Sequence, residues 1–311
     1  MSTTSFPGFD CEHVFTLADL EHWQRREPSL AVIGQPIGHS RSPRMQNAAL
    51  AALAGEAPEL ARWRYYKFEI APQALPQALQ LFHGHNFIGL NLTLPHKVLA
   101  CAHVTHLAAA AAAAGAVNTL VRNPDGYTGH NTDGPGFARA LLENPGAPLR
   151  DATIALLGAG GAARAIAATA LSEGCSALWI GNRDSTRLET LLSALRKSFP
   201  EAAGRIRGFL LSAGIIPLPE IPTGAIVVNA TSLGLKPDDP SPVPASFWRP
   251  EMCAYDIVYG SSETAFLRDA RVAGAPGADG RSMLCWQGAL AFELWTGRKA
   301  PVELMRQMLE G

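Results

Sequence analysis

The chain has 311 residues, of which 47% are hydrophobic and 17% are charged, so it can build a large core and is not expected to be disordered. Its net charge of −1 argues against nucleic-acid or membrane-surface partners, which require a basic excess. No apolar run approaches the roughly 20 residues of a membrane-spanning helix, and Met1 to Asp10 carry no secretory signal pattern. We therefore expect a cytoplasmic protein with two domains.

The cysteines are dispersed and form no C-x-x-C motif; they are Cys11, Cys101, Cys175, Cys253 and Cys285. Buried, reduced thiols are the expected state in a cytoplasmic protein. Cys285 lies near a candidate site, but we assign it no nucleophilic role. No cluster of His and Cys has the spacing of metal ligands, so no metal is expected.

An N-terminal extension comes first, at residues 1–28, and we expect it to pack against the body of the protein. Within it, Thr16 and Asp19 predict a capping box at the start of a short helix. Strands are predicted at Leu30–Ile33, Arg64–Ile70, Phe87–Leu92, Thr119–Val121, Thr153–Leu157, Ala177–Ile180, Ala225–Asn229 and Ala254–Ile257. Helices are predicted after Pro72, at Ala108–Ala114, at Gly134–Leu142, and at Ser282–Glu310 with interruptions at Gly297 and Pro301. This alternation implies parallel α/β sheets, with one hairpin turn at Asn123–Gly126.

A glycine-rich turn lies in the middle of the chain, directly after the predicted strand Thr153–Leu157 and before an alanine-rich helix. Gly158, Gly160 and Ala163 stand where a G-x-G-x-x-G/A fingerprint needs a tight turn, a close approach to a pyrophosphate and close packing of helix on strand. The helix N-terminus would then offer N–H groups to the phosphates. An ordinary strand–helix turn is the alternative, but the strand before and the helix after favour dinucleotide binding.

About half of the chain precedes this motif, so a different domain comes first. We expect an α/β protein in which an N-terminal substrate-binding catalytic domain is joined to a Rossmann-like dinucleotide-binding domain, with the active site in the cleft between them. The first domain is expected to span residues 29–148 and to be completed by C-terminal helices at 280–311. The dinucleotide-binding domain is expected to span residues 149–279.

Four polar segments in the first half of the chain lie at the ends of predicted strands. They are Gly34–Pro43, Asn91–Lys97, Asn118–Thr119 and Asn131–Gly134. Ligands of open α/β sheets bind outside the carboxyl ends of the strands. We therefore expect these segments to converge on one pocket for a small, polar, polyhydroxylated ligand.

Each of these polar residues also has a structural interpretation. Ser40 and Ser42 could be turn and N-cap residues, and Asp133 could be a further N-cap. Asn118 could satisfy loop backbone groups, and Lys97 could be a solvated surface lysine. Taken singly, these interpretations are at least as good as a functional one. Four polar turns followed by a nucleotide fingerprint favour a substrate site.

The order of these segments resembles the shikimate dehydrogenase family, from about Ala31 to about Gly297. The matching segments are Gly34–Pro43, Asn91–Lys97, Gly115–Thr119, Asn131–Gly134, Gly158–Arg164, Asn229–Ser232, Asp256–Tyr259 and Met283–Gln287. The resemblance implies reversible, NADPH-dependent reduction of 3-dehydroshikimate to shikimate, in aromatic amino-acid biosynthesis. It also implies that the second domain binds NADP.

By matching position, the resemblance makes Lys97 and Asp133 the catalytic pair. Carbonyl reduction generates an alkoxide that needs a proton donor within hydrogen-bond reach, and an ammonium group near a carboxylate can supply it. Which of the two transfers the proton stays open. The implied substrate-binding residues are Ser40, Ser42, Thr93, Asn118, Tyr259 and Gln287. The implied cofactor-binding residues are Gly158, Ala159, Gly160, Gly161, Ala162, Asn182, Arg183, Arg187, Thr231, Ile257 and Gly280.

Two departures from the family pattern flank the expected substrate site. Gln46 stands where histidine is usual, and Ser282 stands where glycine is usual. They leave substrate preference open, so an NAD-dependent quinate/shikimate dehydrogenase, or a relative acting on another cyclohexane acid, is an alternative. A non-catalytic module that senses NADP or shikimate is another, which the retained Lys97 and Asp133 disfavour.

The segment after the second strand of the dinucleotide domain bears on cofactor choice. Asn182, Arg183 and Arg187 match the family's NADP pattern, in which guanidinium groups bind the 2′-phosphate. Asp184 would repel that phosphate if it pointed inward, but it would be harmless as a helix N-cap. We expect NADP rather than NAD, a small-molecule substrate, and a monomer or homodimer.

Overall fold

The computed structural model describes residues 10–211, 221–260 and 262–310. Positions 1–9 of the predicted extension, 212–220 and 261 of the predicted dinucleotide domain, and 311 lie outside the described residues. The described chain forms two compact units. The first holds the described residues of Met1–Ala112, Ala116–Thr132 and Gly288–Gly311, and the second those of Ala113–Gly115 and Asp133–Gln287. This division differs from the predicted domain limits at 148 and 280, which stay a prediction about functional domains.

The first unit is built on a seven-stranded sheet in the order β1-β3-β2-β4-β6-β7-β5. Its strands are β1 (Val14–Phe15), β2 (Ser29–Gly34), β3 (Arg64–Glu69), β4 (Phe87–Leu92), β5 (His106–Leu107), β6 (Thr119–Asn123) and β7 (Gly126–His130). β1 to β4 are parallel, whereas β6 runs antiparallel to β4 and β7. The predicted hairpin is confirmed. Its reversal places the start of β6 at the same edge as the carboxyl ends of β2, β4 and β7.

The second unit is built on six parallel strands in the order β10-β9-β8-β11-β12-β13. Its strands are β8 (Thr153–Leu157), β9 (Ala177–Asn182), β10 (Ile206–Leu210), β11 (Ile226–Asn229), β12 (Cys253–Asp256) and β13 (Gly277–Ala278). This is the strand order of the doubly wound dinucleotide-binding fold. The order reverses between β8 and β11, and ligands of such folds bind at the carboxyl ends beside that reversal. The predicted Rossmann-like fold is confirmed.

Helices connect the strands of both sheets and complete both units. They are α1 (Leu17–Glu21), α2 (Ser42–Leu53), α3 (Leu75–Gly84), α4 (His96–Leu99), α5 (Ala109–Ala114), α6 (Asp133–Glu143), α7 (Gly161–Ser172), α8 (Ser185–Ser198), α9 (Ala265–Val272), α10 (Arg281–Thr296) and α11 (Val302–Glu310). The gap between α10 and α11 confirms the interruption predicted at Gly297 and Pro301. The sequence pattern does not predict β1, β5, β10 and β13. Three of these have two residues, too few to show a period, and β10 exposes most of its side chains.

The N-terminal extension packs onto the edge of the first sheet. The predicted capping box is confirmed, because the Thr16 hydroxyl accepts from the Asp19 N–H and the Asp19 carboxylate accepts from the Thr16 N–H. Phe15 and Trp23 are buried, with ring centroids 5.2 Å apart, and Phe15 lies 5.3 Å from Phe68 of β3. Burial of these aromatic rings fixes the extension to the body of the unit.

Helix α6 approaches two other helices closely through glycines. A Cβ added to Gly134 would lie 2.8 Å from the Ala165 carbonyl oxygen on α7. A Cβ added to Gly136 would lie 2.8 Å from the Gln287 nitrogen on α10. Both distances are shorter than van der Waals contact, so only glycine permits this packing. Asp133 therefore begins a helix that is fixed between α7 and α10.

We predict that Gly136→Ala destabilises the protein by about 1–3 kcal/mol, because the added methyl group must push the α10 backbone away. Gly204→Ala is the matched control, since a Cβ at Gly204 would meet no atom within 4 Å. Thermal unfolding of the two variants measures the difference. Equal melting temperatures would show that α6 and α10 are not packed this closely.

Candidate active site

The polar turns of the first unit lie side by side at one edge of its sheet. Strands β2, β4, β6 and β7 are neighbours in that order. The carboxyl ends of β2, β4 and β7 share this edge with the start of the antiparallel β6. The edge therefore carries the turns that hold Ser40, Thr93, Asn118 and Thr132.

Asn118 is the centre of the hydrogen bonds along this edge. Its Oδ1 accepts from the Thr132 N–H at 2.7 Å and from the Thr119 hydroxyl at 3.0 Å, and its Nδ2 donates to the Thr132 hydroxyl at 2.9 Å. Its carbonyl accepts from the Leu92 N–H at 2.8 Å, and its N–H donates to the His130 carbonyl at 3.1 Å. Only 1% of Asn118 is exposed. The structural interpretation of Asn118 is confirmed, and its substrate role stays a prediction.

A buried polar chain runs from Asn118 towards the serine-bearing turn. Asn91 donates from Nδ2 to the Asn118 carbonyl at 3.2 Å, and its Oδ1 accepts from the Tyr65 hydroxyl at 2.7 Å. Burial raises the pKa of Tyr65 well above its usual range, although a hydrogen bond with Ser42 acts in the opposite direction and lowers it. The sequence places Asn91 in one of the segments expected at the pocket but gives it no individual role, and it does not assign Tyr65 to the site. The signal for Asn91 is an amide inside an apolar strand, where asparagine is disfavoured.

The turn after β2 is held by its own backbone. The Ser40 N–H donates to the Ile37 carbonyl at 3.0 Å, and the Ser42 N–H donates to the Ser40 hydroxyl at 3.3 Å. Helix α2 begins at Ser42, and its N-cap is Arg41, which makes no side-chain cap. The turn interpretation of Ser40 is therefore confirmed, and the N-cap interpretation of both serines is wrong.

The short helix α4, which carries Lys97, is fixed on two sides. The Lys97 carbonyl accepts from the Val117 N–H at 2.7 Å, one residue before Asn118. The neighbouring His96 is fully buried and donates from Nε2 to the Ile70 carbonyl at 2.9 Å, and burial lowers the pKa of this imidazole. Lys97 itself is partly buried, as is Thr93, so neither is a fully solvated side chain.

Three further predicted residues belong to the second unit. Asp133 is buried as the first residue of α6. Gln287 is partly buried on α10 and donates from Nε2 to the Leu284 carbonyl at 2.9 Å. Tyr259 is partly buried after β12. The close packing of α6 on α10 thus joins the helices that carry Asp133 and Gln287 within one unit.

The glycine-rich turn between β8 and α7 has the backbone that dinucleotide binding requires. Gly158 has a φ of +117°, and a Cβ there would lie 2.6 Å from the Ala230 carbonyl oxygen, so only glycine fits. Gly160 is the N-cap of α7, and a Cβ added to it would meet no atom within 4 Å. Ala163 is fully buried. The remaining predicted residues of the turn are Ala159, Gly161 and Ala162. A pyrophosphate therefore has room at the α7 N-terminus.

Thr231, Ile257 and Gly280 line the same end of the second sheet. A Cβ added to Gly280 would lie 2.6 Å from the Ile257 carbonyl carbon, so these two backbones touch. The Thr231 hydroxyl donates to the Asn229 Oδ1 at 2.7 Å, directly after β11. The structure thus brings these three predicted cofactor residues to the carboxyl ends of β11 and β12 and to the start of α10.

Asn229 and Asp256 form a buried polar pair at the ends of β11 and β12. The Asn229 Nδ2 donates to the Asp256 Oδ1 at 2.9 Å. Asp256 also accepts from the Val258 N–H at 3.0 Å and from the Thr264 hydroxyl at 2.7 Å. Burial raises the pKa of Asp256 to about 6 in spite of these hydrogen bonds. The pair holds the segments that carry Thr231 and Val258, a role that the sequence pattern does not predict.

The segment after β9 carries two arginine side chains and an aspartate that caps the following helix. Asp184 is the N-cap of α8, and its Oδ1 accepts from the Arg187 N–H at 3.0 Å. Its Oδ2 lies 3.6 Å from the Arg187 Nε. Arg183 and Arg187 are exposed, and Asn182 donates to the Asp184 carbonyl at 2.9 Å. The N-cap interpretation of Asp184 is confirmed, so this carboxylate is engaged with its own helix.

The two departures from the family pattern both fasten helix α10. Gln46 is fully buried and donates from Nε2 to the Gly288 carbonyl at 2.9 Å. The Ser282 hydroxyl donates to the Glu143 carboxylate at 2.6 Å. The two bonds lie on either side of Gln287, so both bear on where this predicted substrate residue stands.

Among residues 10–211, 221–260 and 262–310, no three His, Cys, Asp or Glu side chains are grouped so that they could hold a metal ion. Within that same part of the chain, no helix has the length and hydropathy that a bilayer span requires.

We predict that Asp256 makes the protein less stable as the pH rises from 4 to 7. Because its pKa is raised to about 6, the folded state binds its proton more tightly than the unfolded state does, so that stabilisation is present below pH 4 and is lost above pH 6. Relative to Asp256→Asn, wild-type unfolding free energy should fall by at most about 3 kcal/mol over this range.

Chemical denaturation of both proteins at several pH values measures this difference. Asp239 serves as the opposite control, because the backbone N–H groups of Lys236 and Gly234 lower its pKa. Relative to Asp239→Asn, the wild type should gain stability as the pH rises. A pH-independent difference between wild type and Asp256→Asn would contradict the assignment of a raised pKa to Asp256.

Comparison with known proteins places these observations in a family. The model of the shikimate dehydrogenase substrate binding domain matches residues 32–120, and that of the shikimate 5'-dehydrogenase C-terminal domain matches residues 280–310. The chain is 40% identical over 281 residues to a shikimate dehydrogenase (NADP(+)) of Moorella thermoacetica, covering 90% of this chain and 92% of the relative.

Solved structures of two dehydrogenases are similar to the chain in fold. One is shikimate 5-dehydrogenase from Thermus thermophilus in complex with NADP(H) and shikimate, with a TM-score of 0.76, 36% identity, and 91% of this chain and 98% of that chain covered. Another is quinate dehydrogenase from Corynebacterium glutamicum in complex with NAD, with a TM-score of 0.76, 29% identity and the same coverage of 91% and 98%. The chain belongs to the shikimate dehydrogenase family.

Proposed function

We propose that this protein catalyses the reversible, NADPH-dependent reduction of 3-dehydroshikimate to shikimate. One observation carries the proposal. Four neighbouring strands of the first sheet present their polar turns at a single edge, and Asn118 ties three of those strand ends together. A relative that is 40% identical is named for this activity. The family resemblance also places the reaction in aromatic amino-acid biosynthesis.

The substrate side is a surface of hydroxyls and amides suited to a cyclohexane acid. Ser40 and Ser42, from the turn after β2, would hold the carboxylate, while Thr93, Asn118 and Gln287 would hold ring hydroxyls. Tyr259 would line the pocket near the nicotinamide. Such hydrogen bonds orient a polar substrate but add little to its affinity, because each one replaces a hydrogen bond that the substrate makes with water.

Lys97 and Asp133 form the proposed proton-transfer pair. When bound, NADPH supplies the hydride to the substrate carbonyl. The Lys97 ammonium group then donates a proton towards the carbonyl oxygen and stabilises its developing charge. Asp133 orients that ammonium group and accepts a hydrogen bond from a substrate hydroxyl. The backbone at Lys97 is fixed through the Lys97 carbonyl and through buried His96, which favours a lysine at a defined position over one on a mobile surface loop.

The second unit suits NADP. The turn at Gly158–Gly160 and the α7 N-terminus would take the pyrophosphate. Arg183 and Arg187 are exposed at the end of β9, where a 2′-phosphate is read, and Asp184 is occupied as an N-cap. A carboxylate that accepts hydrogen bonds from its own helix does not compete for the ribose, which supports NADP over NAD.

An NAD-dependent quinate/shikimate dehydrogenase is the second candidate. The quinate dehydrogenase of Corynebacterium glutamicum has the same fold similarity as the shikimate enzyme of Thermus thermophilus, so fold alone does not separate them. A non-catalytic sensing module stays a weaker candidate, since it would not need Lys97 and Asp133. The active site between two domains, the cytoplasmic location, the monomeric or homodimeric state and the lack of nucleic-acid and membrane partners stay predictions.

Steady-state assays of shikimate and quinate oxidation, each with NADP⁺ and NAD⁺, test the proposal. The highest kcat/KM should belong to shikimate with NADP⁺. A higher value for quinate with NAD⁺ would favour the second candidate, and no turnover with any pair would favour the sensing module.

We predict that Lys97→Ala lowers kcat by about two to four decades, because a positioned proton donor contributes that much. Asp133→Asn should also lower kcat, whereas a purely structural role for Asp133 at the start of α6 predicts almost no effect on kcat, since the change keeps the size and polarity of the side chain. Lys197→Ala, an exposed lysine on α8, is the control. Near-normal kcat in Lys97→Ala, with circular dichroism unchanged, would remove Lys97 from the mechanism.

We predict that replacing Arg183 and Arg187 together with glutamine raises KM for NADPH by about ten- to one-hundredfold and leaves KM for NADH nearly unchanged. The reason is that only NADPH carries the 2′-phosphate. The same double change at Arg268 and Arg271, both exposed on α9, is the control. An equal rise of KM for both cofactors would show that the arginines do not read the phosphate.

A further inference from the structure

A buried lysine lies behind the serine-bearing turn. Lys67 of β3 is only 4% exposed, and a buried ammonium group must find compensating partners. The structure gives it two. Its Nζ lies 3.2 Å from a carboxylate oxygen of Glu12, and it donates to the carbonyl oxygen of Gly38 at 3.4 Å.

The second partner belongs to the turn that carries the predicted substrate serines. Gly38 stands two residues before Ser40, and the Ile37 N–H donates to the Glu69 carboxylate at 3.4 Å. Lys67 and Glu69 are two residues apart on β3, so their side chains project from the same face of the sheet. Strand β3 therefore holds the turn by a carbonyl group at Gly38 and an N–H group at Ile37.

The first partner comes from the N-terminal extension. Strand β1 pairs with β3 in a register that places Val14 opposite Lys67, and Glu12 stands two residues earlier. The Glu12 side chain is 62% exposed, so it reaches the ammonium group from the solvent side. A Cβ added to Gly38 would lie 4.0 Å from Val14, which puts the extension directly against the turn. The family model begins at residue 32, so Glu12 lies outside the matched substrate binding domain.

We propose that Glu12 and Lys67 are positioning residues for shikimate binding, because the ion pair directs the Lys67 ammonium group at Gly38 and thereby fixes the turn that presents Ser40. The inference rests on the proposed substrate role of Ser40. Without Glu12, the ammonium group is drawn towards water and its bond to the Gly38 carbonyl weakens. Glu12, Lys67 and Gly38 all belong to the first unit, so cofactor binding to the second unit should not change.

Glu12→Gln and Lys67→Met test this inference in steady-state assays of shikimate oxidation with NADP⁺. Both remove the charge; Glu12→Gln keeps the side-chain length, and Lys67→Met shortens the side chain by one atom. Each should raise KM for shikimate by about three- to tenfold, with kcat and KM for NADP⁺ unchanged. Glu21→Gln is the matched control, since Glu21 belongs to the same extension but accepts from Gln77 of α3 instead. It should leave all three constants unchanged.

A double variant shows whether Glu12 acts on the turn through Lys67 or whether the two residues act independently. If Glu12 acts through Lys67, Glu12→Gln combined with Lys67→Met should be no worse than Lys67→Met alone. The inference is overturned if KM for shikimate is unchanged in Glu12→Gln, or if KM for NADP⁺ rises equally. Glu12 is exposed, so its variant decides the matter even if Lys67→Met does not fold.

Ser40→Ala distinguishes this inference from the proposed function. If Ser40→Ala raises KM for shikimate and Glu12→Gln does not, only the role of the extension fails. If Ser40→Ala also leaves KM unchanged, the substrate role of the turn fails with it.

Discussion

The hydrogen bonds of the buried Asn118 are the interactions on which the polar edge of the first sheet depends. Its side chain and backbone join the ends of three strands, so the turns at that edge cannot move independently. Loss of such a buried partner costs about 1–3 kcal/mol for each polar group left unpaired. The same amide leads through Asn91 and Tyr65 to Ser42, and its neighbour Val117 holds Lys97. The surface is therefore organised before any ligand arrives, which lowers the entropic cost of binding.

The second unit achieves its order by a different means, the close approach of backbones. Gly158 lies against the Ala230 carbonyl, and Gly280 lies against Ile257, so the loops after β8, β11 and β12 pack without intervening side chains. A side chain at either position would collide with that backbone and force these loops apart. After β9, by contrast, a side chain fixes the backbone, because Asp184 caps the N-terminus of α8.

The sequence alone predicts many of the secondary-structure elements, because hydrophobic periodicity and glycine-rich turns are properties of short stretches of sequence. Such short stretches predict the limits of β4 and β8, the break before α11 and the glycine-rich turn after β8. The Tyr65–Asn91 and Glu12–Lys67 contacts do not, because they join residues 26 and 55 positions apart through strand register. The raised pKa of Asp256 likewise depends on burial by distant segments.

A crystal structure of the protein with bound shikimate tests the central claim most directly, since that claim concerns where the substrate lies. The account predicts that the shikimate carboxylate contacts Ser40 and Ser42, and that its hydroxyls lie within hydrogen-bond distance of Asn118 and Lys97. Shikimate bound away from this edge of the first sheet, with these four side chains in contact with water alone, would contradict it.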